Sequence, residues 1–199
     1  MVKNIDNKVK QMEQIEGELF NFKKSPLYKY RTQNNFLPVV GEGSLKAKIM
    51  FIGEAPGKKE AQTGKPFCGA SGKMLDSLLE SVGIKREDVY ITNIVKDRPQ
   101  DNRDPSAKEI KLYGPFLDKQ IEIIQPKIIA TLGRFSFGYI MQHFGLEDQI
   151  EPIGKAHGKS YETKFLYGKV KIIPLYHPAV ALYNGGMRET LKKDFKIFT

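Results

Sequence analysis

The stretch that decides the fold is IMFIGEAPG at residues 49–57, where a short apolar run leads directly into a turn of glycine and proline. An apolar run of this length that ends at such a turn is typical of a strand buried on both faces of a sheet. The turn also carries Glu54, and in open α/β sheets ligands bind at the C-terminal ends of the strands. Reversing the chain requires glycine and proline but no carboxylate. Glu54 is therefore a candidate functional residue, with a solvated surface carboxylate as the alternative interpretation.

The bulk composition indicates one globular domain. The chain has 199 residues, 40% of them hydrophobic, which fits one α/β domain with a packed core. We expect a single domain over residues 1–199, with residues 1–24 as an N-terminal helical segment packed on it. No apolar run approaches the ~20 residues of a membrane span, and the polar N-terminus shows no secretory signal, so we expect a cytoplasmic protein. The single cysteine, Cys68, excludes an intrachain disulfide and a multi-cysteine metal site.

The charge balance favours a polyanionic partner. There are 32 lysine and arginine residues against 23 aspartate and glutamate residues, which gives a net charge of +9. Basic side chains bind nucleic acids through phosphate contacts and the release of counterions. A lysine-rich surface that is simply well solvated is the alternative interpretation.

Predicted helices and strands alternate along the chain. Ser106 and Glu109, for example, form a capping box in front of a helix that Pro126 ends. The predicted helices cover residues 7–19, 71–82, 106–124, 136–144 and 187–198, and residues 25–46 are predicted as a loop. The predicted strands cover 48–52, 89–92, 127–132 and 170–175, with strand-like alternation from residue 160 and a turn at 167–169. This order predicts an α/β fold, a three-layer α/β/α sandwich whose central, mostly parallel sheet is covered on both faces.

Four polar residues share one position relative to the predicted strands. Glu54, Asn93, Arg134 and His177 each lie just past the C-terminal end of a strand. In a parallel sheet these ends meet at one edge, so the four side chains are expected to converge. Each residue alone has an ordinary alternative as a turn, capping or surface residue. Their joint placement nevertheless predicts a functional site at this edge.

Two side chains suit the recognition of a planar base. Phe67 lies in a loop rich in glycine and proline, where its ring either packs under the loop or forms a platform for a stacked nucleobase. Asn93 presents an amide acceptor beside an amide donor. Uracil offers N3–H beside the acceptor O4, and cytosine offers the reverse order, so one fixed amide orientation accepts uracil and rejects cytosine. An unpaired buried polar group costs ~1–3 kcal/mol, which is enough for strong discrimination.

An ordered set of motifs runs through most of the chain. Its members are Gly53 to Gly57, Gly64 to Phe67, Tyr90 to Asn93, Asn102 to Pro105, Leu132 to Arg134, and His177 to Ala179. The set resembles the uracil-DNA glycosylase superfamily, and its order and spacing are most similar to family 4. The likeness extends from about residue 25 to the C-terminus. The ordered set is specific, although the last motif alone is not.

The resemblance implies a hydrolase, a monofunctional DNA N-glycosylase that flips uracil out of DNA and excises it during base excision repair. Its partner would be uracil-containing DNA, single- or double-stranded, bound by a monomer. By the same resemblance, Glu54 would be the catalytic carboxylate that acts on water and stabilises positive charge on the deoxyribose. His177 would donate a hydrogen bond to uracil O2, where negative charge accumulates.

The resemblance also implies which residues bind the base and the DNA. Phe67 would stack on the extruded base, Asn93 would read its O4/N3 edge, and Glu60 matches a position near C5 where bulk excludes thymine. The substrate-binding residues implied in this way are Gly53, Ala55, Glu60, Phe67 and Asn93. The DNA-binding residues implied are Arg134, Pro178, Ala179, Val180 and Leu182, with Val180 and Leu182 as the apolar candidates that enter the duplex.

The chain departs from family 4 at the iron–sulfur cluster that this family typically carries on four cysteines. The matching positions here are Phe22, Ser25, Asp97 and Tyr113, none of which supplies a thiolate. We therefore expect no cofactor and no metal. In place of the cluster we expect an apolar plug of Phe22 and Tyr113, with Asp97 paired to a nearby lysine or arginine.

Two other functions remain open from the sequence. A non-catalytic DNA- or uracil-binding module on the same fold would not need the Glu54 carboxylate. An unrelated α/β hydrolase or nucleotide-binding protein is disfavoured, because the chain has neither a Gly-x-x-x-x-Gly-Lys-Ser/Thr loop nor a Gly-x-Ser-x-Gly elbow.

Overall fold

Within residues 2–199, which the computed structural model describes with side chains from residue 5 onward, six strands form one central sheet. The strands are β1 (Glu42–Gly43), β2 (Ile49–Gly53), β3 (Tyr90–Asn93), β4 (Ile128–Leu132), β5 (Tyr161–Phe165) and β6 (Gly168–Leu175). Their order across the sheet is β1-β3-β2-β4-β6-β5. The four central strands are parallel, and β1 and β5 pair antiparallel at the two edges.

Helices connect the strands and cover the sheet. The longer helices are α1 (Val2–Phe20), α4 (Ala70–Ser81), α5 (Ala107–Ile124), α6 (Arg134–His143) and α9 (Met187–Phe195). The short helices are α2 (Tyr28–Gln33), α3 (Lys58–Thr63), α7 (Ile153–Ala156) and α8 (Val180–Tyr183). Single 3₁₀ turns lie at Arg86–Asp88, Gln100–Asn102, Glu147–Gln149 and Lys196–Phe198.

Successive side chains of β2 point to opposite faces of the sheet, and each face packs against a different pair of helices. Met50 and Ile52 are fully buried against α5 and α6 on one face. Phe51 is fully buried on the opposite face with α4 and α9, where its ring stacks on Phe195 with centroids 5.9 Å apart. Burying one such side chain stabilises the fold by ~1.5–3 kcal/mol. The predicted three-layer α/β/α sandwich with a mostly parallel sheet is confirmed.

The strand register brings the candidate residues to one edge. Gly53 pairs with Asn93 where β2 and β3 end, and Leu132 pairs with Leu175 where β4 and β6 end. Because the four parallel strands end at the same level, the segments after them begin side by side. This register is what allows Glu54 and His177 to reach a common site.

The structure refines several predicted elements. Residues 25–46, predicted as a loop, contain α2 and the edge strand β1, and the last hairpin turns at Leu166-Tyr167 rather than at 167–169. The helices α3, α7 and α8 escaped prediction because six residues or fewer cannot display a helical period. The first helix spans 2–20 rather than 7–19, and Ile15 and Leu19 pack it against Phe116 of α5. Over the described residues, no helix combines the length and apolarity needed to cross a membrane.

Candidate active site

A cavity of about 430 Å³ opens where the parallel strands end. Glu54, Asn93 and His177, three of the four residues expected to converge, line it together with Phe67, whereas the exposed Arg134 pairs with Asp104 and does not. The other lining residues are Ala55, Gly57, Glu60, Gly69, Ala70, Ser71, Asn102, Ala179, Leu182 and Tyr183. The volume lies within the range of small-molecule sites.

Glu54 is half-buried at the first position after β2. Its backbone carbonyl accepts a hydrogen bond from the Val95 N–H at 3.0 Å, which holds this turn beside the extension of β3. Burial raises the pKa of the Glu54 carboxyl to about 7, the Asp104 carboxylate adds to the rise, and Arg134 opposes it. A carboxyl with this pKa can act as a general base near neutral pH.

His177 faces the cavity as a neutral imidazole. Burial lowers the pKa of its ring to about 4, although the Glu60 carboxylate opposes this shift. Nδ1 accepts a hydrogen bond from the Ala179 N–H at 3.2 Å, within the turn that follows β6. Because Nδ1 is the acceptor, the ring proton lies on Nε2. His177 can therefore donate a neutral N–H to a ligand.

Phe67 forms one wall of the cavity in a constrained loop. Its ring lies 5.6 Å from the His177 ring at an interplanar angle of 31°, and only 6% of the residue is exposed. Its φ of 46° is in the left-handed region, which costs a residue with a side chain ~1–2 kcal/mol. Glu60 holds this loop, because its Oε1 accepts the N–H groups of Cys68 at 2.9 Å and Gly69 at 2.8 Å.

Asn93 presents an unsatisfied amide to the cavity. It is 2% exposed, and its Oδ1 has no hydrogen-bond partner among the described residues. A buried polar atom without a partner indicates a ligand, a water or stored strain. Gly53 makes room for this amide, since a Cβ there would contact Asn93 Oδ1 and lie 2.7 Å from Phe67 Cζ.

The predicted DNA-binding residues lie at different depths. Arg134 is 68% exposed and donates to Asp104 Oδ2 at 2.6 Å. Leu182 is 45% exposed and lines the cavity, whereas Val180 is half-buried and packs against the core beneath α8. Pro178 is buried, and Ala179 lines the cavity. Of the two apolar candidates, Leu182 is the one that protrudes.

Some cavity residues were missed by sequence reasoning. Tyr183 is 90% exposed at the end of α8, and a single aromatic residue in so short a helix leaves no pattern in the sequence. Asn102 lines the cavity, and both it and Asp101 have positive φ, at 52° and 56°. The Asn102–Pro105 motif was a usable signal, since turn residues of this kind tolerate left-handed backbone.

The four positions that match cluster cysteines meet in the interior. Tyr113 is fully buried, and its hydroxyl lies 2.6 Å from Asp97 Oδ2 and 2.7 Å from Ser25 Oγ. The Phe22 ring packs edge-on against Tyr113 with centroids 5.4 Å apart. Asp97 also pairs with Arg31 at 3.5 Å. These side chains offer no thiolate, and the Tyr113 ring occupies the interior between them, so they do not fit an iron–sulfur cluster.

Comparison with known proteins agrees with this geometry. Residues 40–197 match the family model described as the uracil DNA glycosylase superfamily. The type-4 uracil-DNA glycosylase of Sulfurisphaera tokodaii is 47% identical over 93% of this chain and 82% of its own length. The type-4 enzymes of Saccharolobus solfataricus and Archaeoglobus fulgidus are 49% and 44% identical, over 82% and 90% of their lengths. The protein therefore belongs to the uracil DNA glycosylase superfamily, among its type-4 members.

Proposed function

We propose that this protein excises uracil from DNA by hydrolysing the N-glycosidic bond between the base and the deoxyribose. The observation that carries the proposal is the convergence of a base with a pKa near 7, a neutral histidine donor and an unsatisfied amide on one cavity. A chain that only bound DNA would need no half-buried carboxylate at this position. The names of the type-4 relatives support the same activity.

In this proposal, the extruded base enters the cavity between Phe67 and Asn93. Uracil N3–H donates to Asn93 Oδ1, which lacks a partner among the described residues, and the amide nitrogen donates to O4. The Phe67 ring stacks on the base, and Glu60 holds the loop that carries this ring. Gly53 and Ala55 leave the space that the base needs.

Cleavage then depends on charge stabilisation at both ends of the breaking bond. As the C1′–N1 bond breaks, its electron pair moves onto uracil, and the neutral Nε2–H of His177 donates to O2 where this charge collects. Glu54 as a carboxylate stabilises the positive charge on the sugar and accepts the proton of the water that adds to C1′. The products are an abasic site and the uracil anion, which takes up a proton from solvent while Glu54 releases the proton that it accepted.

Binding to DNA is assigned to the rim of the cavity. Ala179 and Leu182, which line the cavity, are proposed to fill the space that the flipped nucleotide leaves, above the buried Pro178 and the half-buried Val180. Arg134 is proposed to contact a phosphate, which requires exchange of its exposed ion pair with Asp104. Both single-stranded and double-stranded DNA are proposed substrates. Because one chain supplies the whole cavity, we propose that the protein acts as a monomer.

We further propose that the enzyme works without an iron–sulfur cluster. The support is the poor fit of Phe22, Ser25, Asp97 and Tyr113 to iron, together with the hydrogen bonds that link three of them. Protein purified without oxygen should contain no iron and show no visible absorbance band. Stoichiometric iron would contradict this part of the proposal.

A single-turnover cleavage assay tests the proposed activity. The substrates are labelled oligonucleotides with one uracil opposite guanine, opposite adenine or unpaired, treated with alkali to break the chain at abasic sites. Glu54→Gln should lower the rate by orders of magnitude, and Glu80→Gln, at an exposed position of α4, should leave it unchanged. Tight, salt-sensitive binding without any cleavage would instead identify a binding module.

A further inference from the structure

A lysine that the proposed mechanism does not use lies buried directly behind the cavity. Lys96 is 0% exposed, and fully buried lysines are rare in proteins unless they are paired. Its Nζ donates to Thr92 Oγ1 at 2.7 Å, to the Asn93 backbone carbonyl at 2.7 Å and to Gln120 Oε1 at 2.6 Å. A fourth acceptor, the Val40 backbone carbonyl, lies 3.3 Å from Nζ, so four oxygens surround this amine, and burial lowers its pKa.

The hydrogen bonds around Lys96 connect separate parts of the fold. Val40, in the segment before β1, accepts Thr92 Oγ1 at 2.7 Å and Gln120 Nε2 at 2.9 Å through its backbone carbonyl. The Lys96 carbonyl accepts the Val39 N–H at 2.7 Å. One amine therefore ties the end of β3 to α5 and to the segment before β1.

The same segment supports the two central residues of the site. Ile94 N–H donates to the Gly53 carbonyl at 3.1 Å, and Val95 N–H donates to the Glu54 carbonyl at 3.0 Å. Residues 93–96 thus extend β3 alongside the turn that carries Glu54. Asn93 Oδ1 has no hydrogen-bond partner in the part of the chain that the structure describes, so no bond from there to that atom holds the amide in place. Its orientation therefore depends on how firmly its backbone is held.

We propose that Lys96 is a positioning residue, which holds the Asn93 backbone so that the amide is aimed at the base before uracil arrives. This inference rests on the proposed function, because it specifies how the uracil-reading edge is preorganised. Reading a base requires the amide within about 0.5 Å of its productive position. Buried residues that hydrogen-bond to the residue contacting the base commonly provide that precision. Loss of the Lys96 contacts should therefore weaken uracil recognition more than DNA binding.

Inhibition by free uracil tests the inference. Lys96→Met keeps an apolar stem but removes the amine, and it should raise the uracil concentration needed for half-inhibition of cleavage at least about tenfold. Affinity for a uracil-free oligonucleotide should change less than about twofold, since phosphate contacts dominate it. Tyr161→Phe is the control, because it removes one tyrosine hydrogen bond, to Glu151 Oε1 at 2.7 Å, on the edge strand β5 and away from Lys96.

Thr92→Val is a second variant that tests the same inference if Lys96→Met does not fold. It removes a single acceptor of Lys96 in a strand that accepts valine, and it should weaken uracil inhibition in the same direction by a smaller factor. The positioning role would be overturned if the folded variants were inhibited at the same uracil concentration as the wild type, or if Tyr161→Phe weakened inhibition equally. Failure of the wild-type protein to cleave uracil would instead count against the proposed function.

Discussion

The ionisation of Glu54 should control both the activity and the stability of this protein. The proposed mechanism uses the carboxylate, and the pKa of Glu54 is raised from 4.5 to about 7. The ionised fraction then falls from about 0.9 at pH 8 to about 0.01 at pH 5, which predicts an approximately ninety-fold loss of the single-turnover rate. With an ordinary pKa, the same change in pH would lower the rate only about 1.3-fold.

The raised pKa also predicts a cost in stability. The folded state has the higher pKa, so between about pH 4.5 and pH 7 it binds more protons than the unfolded chain, and its stability falls as the pH rises. The full shift would correspond to ~3.4 kcal/mol, and screening of a half-exposed group reduces this to ~1–2 kcal/mol. Glu54→Gln removes the ionisation. The variant should therefore be more stable than the wild type by ~1–2 kcal/mol at pH 8 and about equal to it at pH 4.

Two measurements check these expectations together. Single-turnover cleavage from pH 5 to pH 8.5 gives the activity profile, and urea unfolding at pH 4 and pH 8 gives the free energy of unfolding of each protein. Glu80→Gln serves as the control for removing an exposed carboxylate. A rate independent of pH between 5 and 8, or a Glu54→Gln variant with no gain in stability at pH 8, would refute the argument that burial raises this pKa.

Three further substitutions test other parts of the site. Asn93→Asp should relax the discrimination between uracil and cytosine in a competition cleavage assay, because the carboxylate accepts a hydrogen bond from cytosine but cannot donate one to uracil O4. Unchanged selectivity would mean that Asn93 does not read the base. Gly53→Ala should abolish binding of free uracil with only modest loss of stability, since its Cβ would lie 2.7 Å from Phe67 Cζ; retained inhibition by uracil would mean that the ring moves aside. Tyr113→Phe should lower the free energy of unfolding by ~1–3 kcal/mol by leaving Asp97 without its hydroxyl partner, while the cleavage rate stays within about twofold; a large loss of rate would link the Asp97 network to the site.

Much of the fold could be predicted because its signals are local. The apolar run at 49–52 and the capping box at Ser106 and Glu109 each specify an element through neighbouring residues alone, and the structure contains both β2 and α5. The short elements could not be predicted in this way. β1 has two residues and α8 has four, so tertiary contacts decide their conformation rather than any period in the sequence.

The part of the candidate site that lies just past the C-terminal ends of the parallel strands could be predicted from the sequence. Four residues were expected to converge because parallel strands finish at one edge. Glu54, Asn93 and His177 line the cavity, whereas Arg134 extends into solvent and pairs with Asp104. The role of Lys96 could not be foreseen, since a lysine after a strand ordinarily indicates a solvated surface. Only the folded chain shows that its amine meets acceptors from Asn93 and Gln120, which lie on separate elements.

The sequence by itself determined the order of the longer elements, the parallel sheet, the family and the central residues of the cavity, Glu54, Phe67, Asn93 and His177. The tertiary structure alone decided the properties of those residues. Burial beside Asp104 raises the pKa of Glu54, and the bond from the Ala179 N–H leaves the His177 proton on Nε2. These properties depend on the dielectric environment of each group and on its charged and hydrogen-bonding partners, which are distant in the chain or set by backbone geometry. Neither can be read from composition or from the spacing of residues.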